Sequence, residues 1–184
     1  MGTIESATAL VSLLSKEKAS PVLHALAAHS VPGFKGNAAI VLTADQVVAH
    51  PTLGILEKPA NKEEAQAFVD SYKVVPTVTT VGAVRATHWP SGATVVKTFL
   101  GVVDFDGERM AAGDGEGGGE ILRKLEEVKA PVLECAGGLM IENELIRSFI
   151  VKVEGGEDSV LGLSRESLVR ALKECEERAE SGGG

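Results

Sequence analysis

Asp45, which follows a short apolar run, is a residue that could take part in catalysis or bind a ligand. The run Ala38 to Leu42 is continuous and branched, which is typical of a buried strand. In open α/β sheets, ligands commonly bind just outside the carboxyl ends of strands, and a carboxylate there can hold a metal ion or orient water. The alternative, which residue type alone favours by about two to one, is that Asp45 only caps a turn.

Three further charged residues could join such a site. Lys58 precedes Pro59, Lys18 lies in a helical pattern, and Glu142 ends an apolar stretch. A lysine binds phosphate as a point charge, and a carboxylate can hold a metal ion or move a proton. Each residue also has an ordinary interpretation, because Lys18 and Lys58 fit solvated surface charges and Glu142 fits a loop acid.

Helices and strands alternate around these residues. The first half predicts one or two helices over 6–29 with a break at Pro21, a strand over 38–42, a helix from the N-cap Asn61 to Tyr72, and a hairpin of strands 77–87 and 94–105. The second half predicts a helix over 121–128, an extended stretch over 131–141, a strand or short helix and strand over 145–153, and a terminal helix capped by Ser164. The apolar side of that last helix carries Leu168, Val169, Leu172 and Cys175.

The segment 107–119 is rich in glycine, with six glycines among acidic residues. It lacks the Lys-Ser/Thr ending of a phosphate-binding P-loop, and its acids would repel phosphate. This composition predicts a flexible surface insertion.

Composition excludes several classes of function. The net charge of −8 argues against a surface that follows a nucleic-acid backbone. No apolar run reaches the length of a membrane span, so no membrane partner is expected. Cys135 and Cys175 are predicted to be free thiols in a reducing, cytoplasmic compartment. The four histidines are scattered without zinc-ligand spacing, and no Gly-x-Ser-x-Gly nucleophile motif occurs.

Short blocks of the chain resemble the Maf family. The first block is Val41-Leu42-Thr43-Ala44-Asp45-Gln46-Val47-Val48 followed by Glu57-Lys58-Pro59, and the second is Cys135-Ala136-Gly137-Gly138-Leu139-Met140-Ile141-Glu142. The third, Asp158-Ser159-Val160-Leu161-Gly162-Leu163, is similar to a family motif that usually ends in proline, where Ser164 stands here. A weaker match is Leu14-Ser15-Lys16-Glu17-Lys18-Ala19. The blocks occur in the family's order across residues 10–172.

The resemblance implies a fold and a reaction. The fold is α/β, related to the inosine triphosphate pyrophosphatases, with an elongated mixed sheet flanked by helices and a central cleft, and residues 1–184 form one domain. The reaction cleaves a nucleoside triphosphate to the monophosphate and pyrophosphate with Mg²⁺ or Mn²⁺. By resemblance, Asp45, Lys58 and Glu142 are catalytic, Lys18 and Lys58 bind substrate, and Asp45 and Glu142 bind the metal. Family members are often homodimers, and those with Glu at the position of Glu142 include forms that favour 7-methyl-GTP.

The chain also departs from the family's pattern. Family members carry Ser-x-Ser-Pro-Arg-Arg before the first helix, and these 184 residues contain no Ser-Pro-Arg-Arg. The chain is therefore expected to be N-terminally truncated relative to the family, with an uncovered sheet edge and weakened catalysis. The alternative function is a non-catalytic nucleotide-binding or protein-interaction relative involved in the control of cell division.

Overall fold

The computed structural model describes residues 2–181, so Met1 and Gly182–Gly184 of the predicted domain lie outside the described residues. The helices are α1 Thr3–Ala27, α2 Lys62–Val74, α3 Gly107–Asp114, α4 Glu120–Glu127, α5 Glu144–Arg147, α6 Glu157–Val160 and α7 Arg165–Ser181. The strands are β1 Ala39–His50, β2 Gly54–Leu56, β3 Thr77–Trp89, β4 Thr94–Phe105 and β5 Ile150–Glu154. Short 3₁₀ turns occupy Val132–Glu134 and Ala136–Gly138.

One five-stranded sheet organises the chain, in the order β2-β1-β3-β4-β5. The predicted α/β class, a sheet flanked by helices, is confirmed, but the sheet is not mixed as predicted, because every pairing between the described strands is antiparallel. The predicted hairpin is formed by β3 and β4, with Thr87 opposite Thr94. Beside β2, only Val48–His50 of β1 are paired, so residues 39–47 leave that edge without a strand partner among the described residues.

Helices cover both faces of the sheet. Side chains of successive residues in a strand point to opposite faces, and Ala83 and Val84 of β3 show which helix covers each face. Ala83 packs in a cluster with Ala7 and Val11 of α1. Val84 packs in a cluster with Ala171 and Cys175 of α7. The largest core lies where α2, α3 and α4 meet the sheet, around Tyr72, Phe105 and Met110.

The first helix and the first strand are longer than predicted. Helix α1 is a single helix that contains Pro21, so the predicted break is absent. Ala19 and Leu26, on either side of the proline, pack in one cluster with Val41, and this packing holds the helix together. Strand β1 continues to His50, which places Asp45 inside the strand opposite Ala83 rather than after its end. The reason is that Val47, Val48 and Ala49 are buried against neighbouring elements.

The glycine-rich segment differs from the prediction of a flexible insertion. Gly107–Asp114 forms α3, with Met110 fully buried. The Asp114 carboxylate is completely buried and accepts hydrogen bonds from the backbone N–H groups of Gly119 and Ile121. The segment therefore consists of α3 and an ordered connection to α4, which is held by the buried carboxylate of Asp114.

Two smaller predictions also differ. The stretch 131–141, predicted to be extended, contains two 3₁₀ turns, and Gly137 and Gly138 bend the chain there with φ of 72° and 73°. In α7, Cys175 is buried as predicted but Val169 is 58% exposed.

The predicted N-caps are present, since Asn61 accepts a hydrogen bond from the N–H of Glu64 and Ser164 accepts one from that of Ser167. Among residues 2–181, no helix combines the length and apolar character that crossing a membrane requires.

Candidate functional site

The structure brings the four predicted residues Lys18, Asp45, Lys58 and Glu142 to one cleft of about 360 Å³. They come from α1, from β1, from the segment after β2, and from the loop before α5. Because these segments are far apart in the sequence, only the tertiary fold can place their charges around one recess.

Lys18 and Asp45 form an ion pair at the cleft. The Lys18 Nζ lies 3.0 Å from Asp45 Oδ1 and donates a second hydrogen bond, of 3.2 Å, to the carbonyl of Ala44. Asp45 Oδ1 also accepts from the N–H of Gln46 at 3.1 Å, whereas Oδ2 accepts no hydrogen bond from the described residues. The Asp45 side chain is 19% exposed and that of Lys18 is 54% exposed. One oxygen of this half-buried carboxylate is therefore free to bind a ligand.

The helix and strand that carry this pair are joined one helical turn earlier. Thr43 Oγ1 donates a hydrogen bond of 2.6 Å to the carbonyl of Ser15. The neighbouring Ala19 is buried against the sheet. These contacts fix the face that α1 presents to β1, so that Lys18 reaches Asp45.

Gln46 ties the strand to the opposite wall of the cleft. Its Nε2 donates hydrogen bonds of 2.7 and 3.1 Å to the carbonyls of Ser159 and Val160. Asp158 supports this wall, because its carboxylate accepts from the N–H of Arg165, and this hydrogen bond holds the pKa of Asp158 below its usual value. Ser159 is buried. These residues shape the wall.

Cys135 lies in the cleft near Lys58 and Glu142. Burial is the main cause that raises the pKa of its thiol, the charge of Glu142 raises it further, and the charge of Lys58 opposes both. The raised pKa keeps the thiol protonated near neutral pH. Cys135 and Cys175 are both free, as predicted.

The floor of the cleft is apolar and is closed by a buried hydrogen bond. The side chains that form it are Val48, Tyr72, Val78, Val103, Phe105, Leu139 and Ile141. The Tyr72 hydroxyl donates a hydrogen bond of 2.7 Å to the carbonyl of Gly137. A side chain at Gly137 would have its Cβ only 2.8 Å from this hydroxyl oxygen. Only glycine therefore fits at position 137, where the chain passes over Tyr72.

Among the residues that line the cleft, sequence reasoning assigned no role to Gln46, Tyr72, Glu134 and Cys135. Gln46 and Cys135 lie in the blocks that resemble the Maf family, so that resemblance could have identified them. Tyr72 belongs to the apolar face of α2, where nothing in its spacing distinguishes it from a core residue.

The residues present fit a hard divalent cation. Asp45 and Glu142 offer carboxylate oxygens to one cleft, which are the donors that Mg²⁺ and Mn²⁺ prefer. Within residues 2–181, no group of three or more His, Cys, Asp or Glu residues could hold a metal ion. The protein would therefore supply few of the ligands, and substrate and water oxygens would supply the others.

Comparison with known proteins agrees with this architecture. The sequence pattern of the family described as Maf-like protein matches residues 3–175. The chain belongs to the Maf-like protein family. This match includes Lys18, Asp45, Lys58 and Glu142, so all four cleft residues lie in the Maf-like region.

The Maf-like chain is also similar to the 7-methyl-GTP pyrophosphatase of Dictyostelium discoideum. The two sequences are 27% identical over 126 residues, which cover 68% of this chain and 57% of that protein. The chain thus spans little more than half the length of this curated relative.

Proposed function

We propose that this Maf-like chain is a nucleoside triphosphate pyrophosphatase. The reaction is attack of water on a nucleoside triphosphate, which breaks the bond between the α and β phosphates and releases a nucleoside monophosphate and pyrophosphate. The observation that carries the proposal is the convergence of two lysines and two carboxylates from four segments on one cleft. The similarity to a 7-methyl-GTP pyrophosphatase supports a modified guanine nucleotide as the first substrate to test.

The roles follow from the chemistry of the side chains. Lys18 and Lys58 neutralise the charge of the phosphates, which is the main requirement of phosphoryl chemistry. Asp45, with a free Oδ2, binds the cation or orients the attacking water, and Glu142 acts as a second carboxylate. When Mg²⁺ or Mn²⁺ is bound, it supplies Lewis-acid stabilisation of charge on the phosphate oxygens. The apolar floor suits the base, because a flat ring buried there leaves water.

The test is release of pyrophosphate by the purified chain. The substrates are 7-methyl-GTP, GTP, UTP and dTTP, each with Mg²⁺ or Mn²⁺. We expect Asp45→Asn to lower kcat/KM by at least about 100-fold, because it removes a charge needed at the reacting phosphate. Asp70→Asn is the matched control, since Asp70 is 56% exposed, is absent from the cleft lining and should leave turnover unchanged.

Two results would overturn the proposal. One is that no triphosphate in the panel is hydrolysed, and the other is that Asp45→Asn is as fast as the unaltered chain. If nucleotides raise Tm without any turnover, the site binds nucleotide but does not cleave it.

A cytoplasmic location, which the two free thiols support, and a homodimer belong to the same proposal.

A further inference from the structure

The Lys18 ammonium forms an ion pair with Asp45, the carboxylate that would hold the cation. It lies 3.0 Å from Asp45 Oδ1, and the hydrogen bond to Ala44 O keeps it there. Lys18 is therefore a resident cation in the cleft before any ligand enters.

A divalent ion on Asp45 Oδ2 would share one carboxylate with this ammonium. Two cations this close repel each other by more than thermal energy, even in a water-like dielectric. Few other protein ligands would offset the repulsion, because within residues 2–181 no three metal-binding side chains converge. A free cation therefore binds Asp45 weakly while Lys18 remains in place.

A polyphosphate changes this balance. Its oxygens attract the Lys18 ammonium, which is 54% exposed and sits on a flexible side chain that can follow them. They also supply the oxygen ligands that the cation lacks in this cleft. Each of the two ligands therefore favours the binding of the other.

We propose that Lys18 couples the two ligands, so that the cleft takes up the divalent cation together with a polyphosphate rather than alone. This inference rests on the proposed function for the location of the metal and the phosphates. It makes Lys18 a residue with opposite effects on the two ligands, because it opposes the free cation and binds the phosphate. A residue with a purely structural role would change both affinities in the same direction.

The test uses Mn²⁺ alone and the Mn²⁺ complex of inorganic tripolyphosphate, which has the phosphate charge without a base. Titration calorimetry on the full chain measures both. We expect Lys18→Met to bind free Mn²⁺ about three- to tenfold more tightly and the tripolyphosphate complex about three- to tenfold more weakly. Lys18→Arg retains the positive charge and should restore the order seen in the unaltered chain.

Lys16→Met is the matched control, because Lys16 is an exposed lysine of the same helix that does not line the cleft. It should leave both affinities unchanged. Unchanged or weaker binding of free Mn²⁺ by a folded Lys18→Met variant overturns the coupling, as do changes of both affinities in one direction. These titrations involve no turnover, so the coupling can fail while pyrophosphate release stands, and turnover can fail while the coupling stands.

Discussion

Replacing Asp114 with Asn should destabilise the protein far more than the same change at Asp70. Both carboxylates bind Lys73, but the Asp114 side chain is fully buried whereas that of Asp70 is 56% exposed. Asp114 Oδ2 accepts from Lys73, Gln66 and Gly119, and Oδ1 accepts from the N–H of Ile121 at 2.9 Å. An asparagine has one acceptor oxygen, so its amide must face at least one of these donors.

The size of the effect follows from the partners that are lost. If the Asn oxygen replaces Oδ2, the N–H of Ile121 loses its acceptor and meets another donor, and Lys73 loses a buried counter-charge. An unsatisfied buried donor costs about 1–3 kcal/mol, and breaking a buried ion pair costs about 3–5 kcal/mol. Because Lys73 keeps Asp70 as a partner, we expect Asp114→Asn to lower the free energy of unfolding by about 3 kcal/mol. Asp70→Asn should lower it by less than about 1 kcal/mol.

Urea unfolding followed by far-UV circular dichroism measures both variants. A double mutant with Lys73→Met should lose less stability than the sum of its two single mutants, because the residues act on one interaction. Equal effects of Asp114→Asn and Asp70→Asn would refute the reasoning, since burial would then add nothing to this contact.

Two other perturbations test the floor of the cleft and its surroundings. Tyr72→Phe removes the buried hydrogen bond to the Gly137 carbonyl and should lower the free energy of unfolding by about 1–2 kcal/mol in urea unfolding. His50 is fully buried, its Nδ1 accepts from the N–H groups of Thr52 and Leu53, and burial lowers its pKa below 6.5. The unfolded chain therefore binds the proton more readily, and stability should fall as pH drops through about 6.5, by no more than about 1.4 kcal/mol per pH unit. Between pH 7.5 and 5.5, His50→Asn should flatten this dependence and the exposed control His24→Asn should not. An unchanged slope in His50→Asn would show that another group titrates.

Local signals predicted the elements whose shape is set by nearby residues. The two Val- and Thr-rich runs around Trp89-Pro90-Ser91-Gly92 form the predicted hairpin, and Asn61 begins α2 through its own side chain. The elements that the sequence did not predict correctly are those whose conformation depends on contacts with distant residues. The region after α3 is ordered by Gln66 and Lys73, more than 40 residues before Asp114, and no local pattern reveals that connection.

For the candidate site, too, the sequence predicted some features and missed others. A resemblance in short blocks was enough to select Lys18, Asp45, Lys58 and Glu142, and the structure places all four in one cleft. The location of Asp45 inside β1 was missed because Asp is uncommon in strands, and the pairing of β1 with β3, in which Asp45 lies opposite Ala83, outweighs that preference. The roles of the four residues remain predictions for the turnover and binding measurements.

The charges that line the cleft predict that the proposed nucleotide binding needs a cation. Two lysines, Lys18 and Lys58, face three carboxylates, those of Asp45, Glu134 and Glu142, which gives the lining a formal net charge of −1. A triphosphate is strongly anionic, so these side chains alone would repel it. One divalent cation changes the sign of the lining to +1, and only then does the cleft attract the phosphates. The affinity for tripolyphosphate should therefore fall steeply when EDTA removes Mn²⁺, and this dependence follows from the lining itself rather than from the chemistry of cleavage.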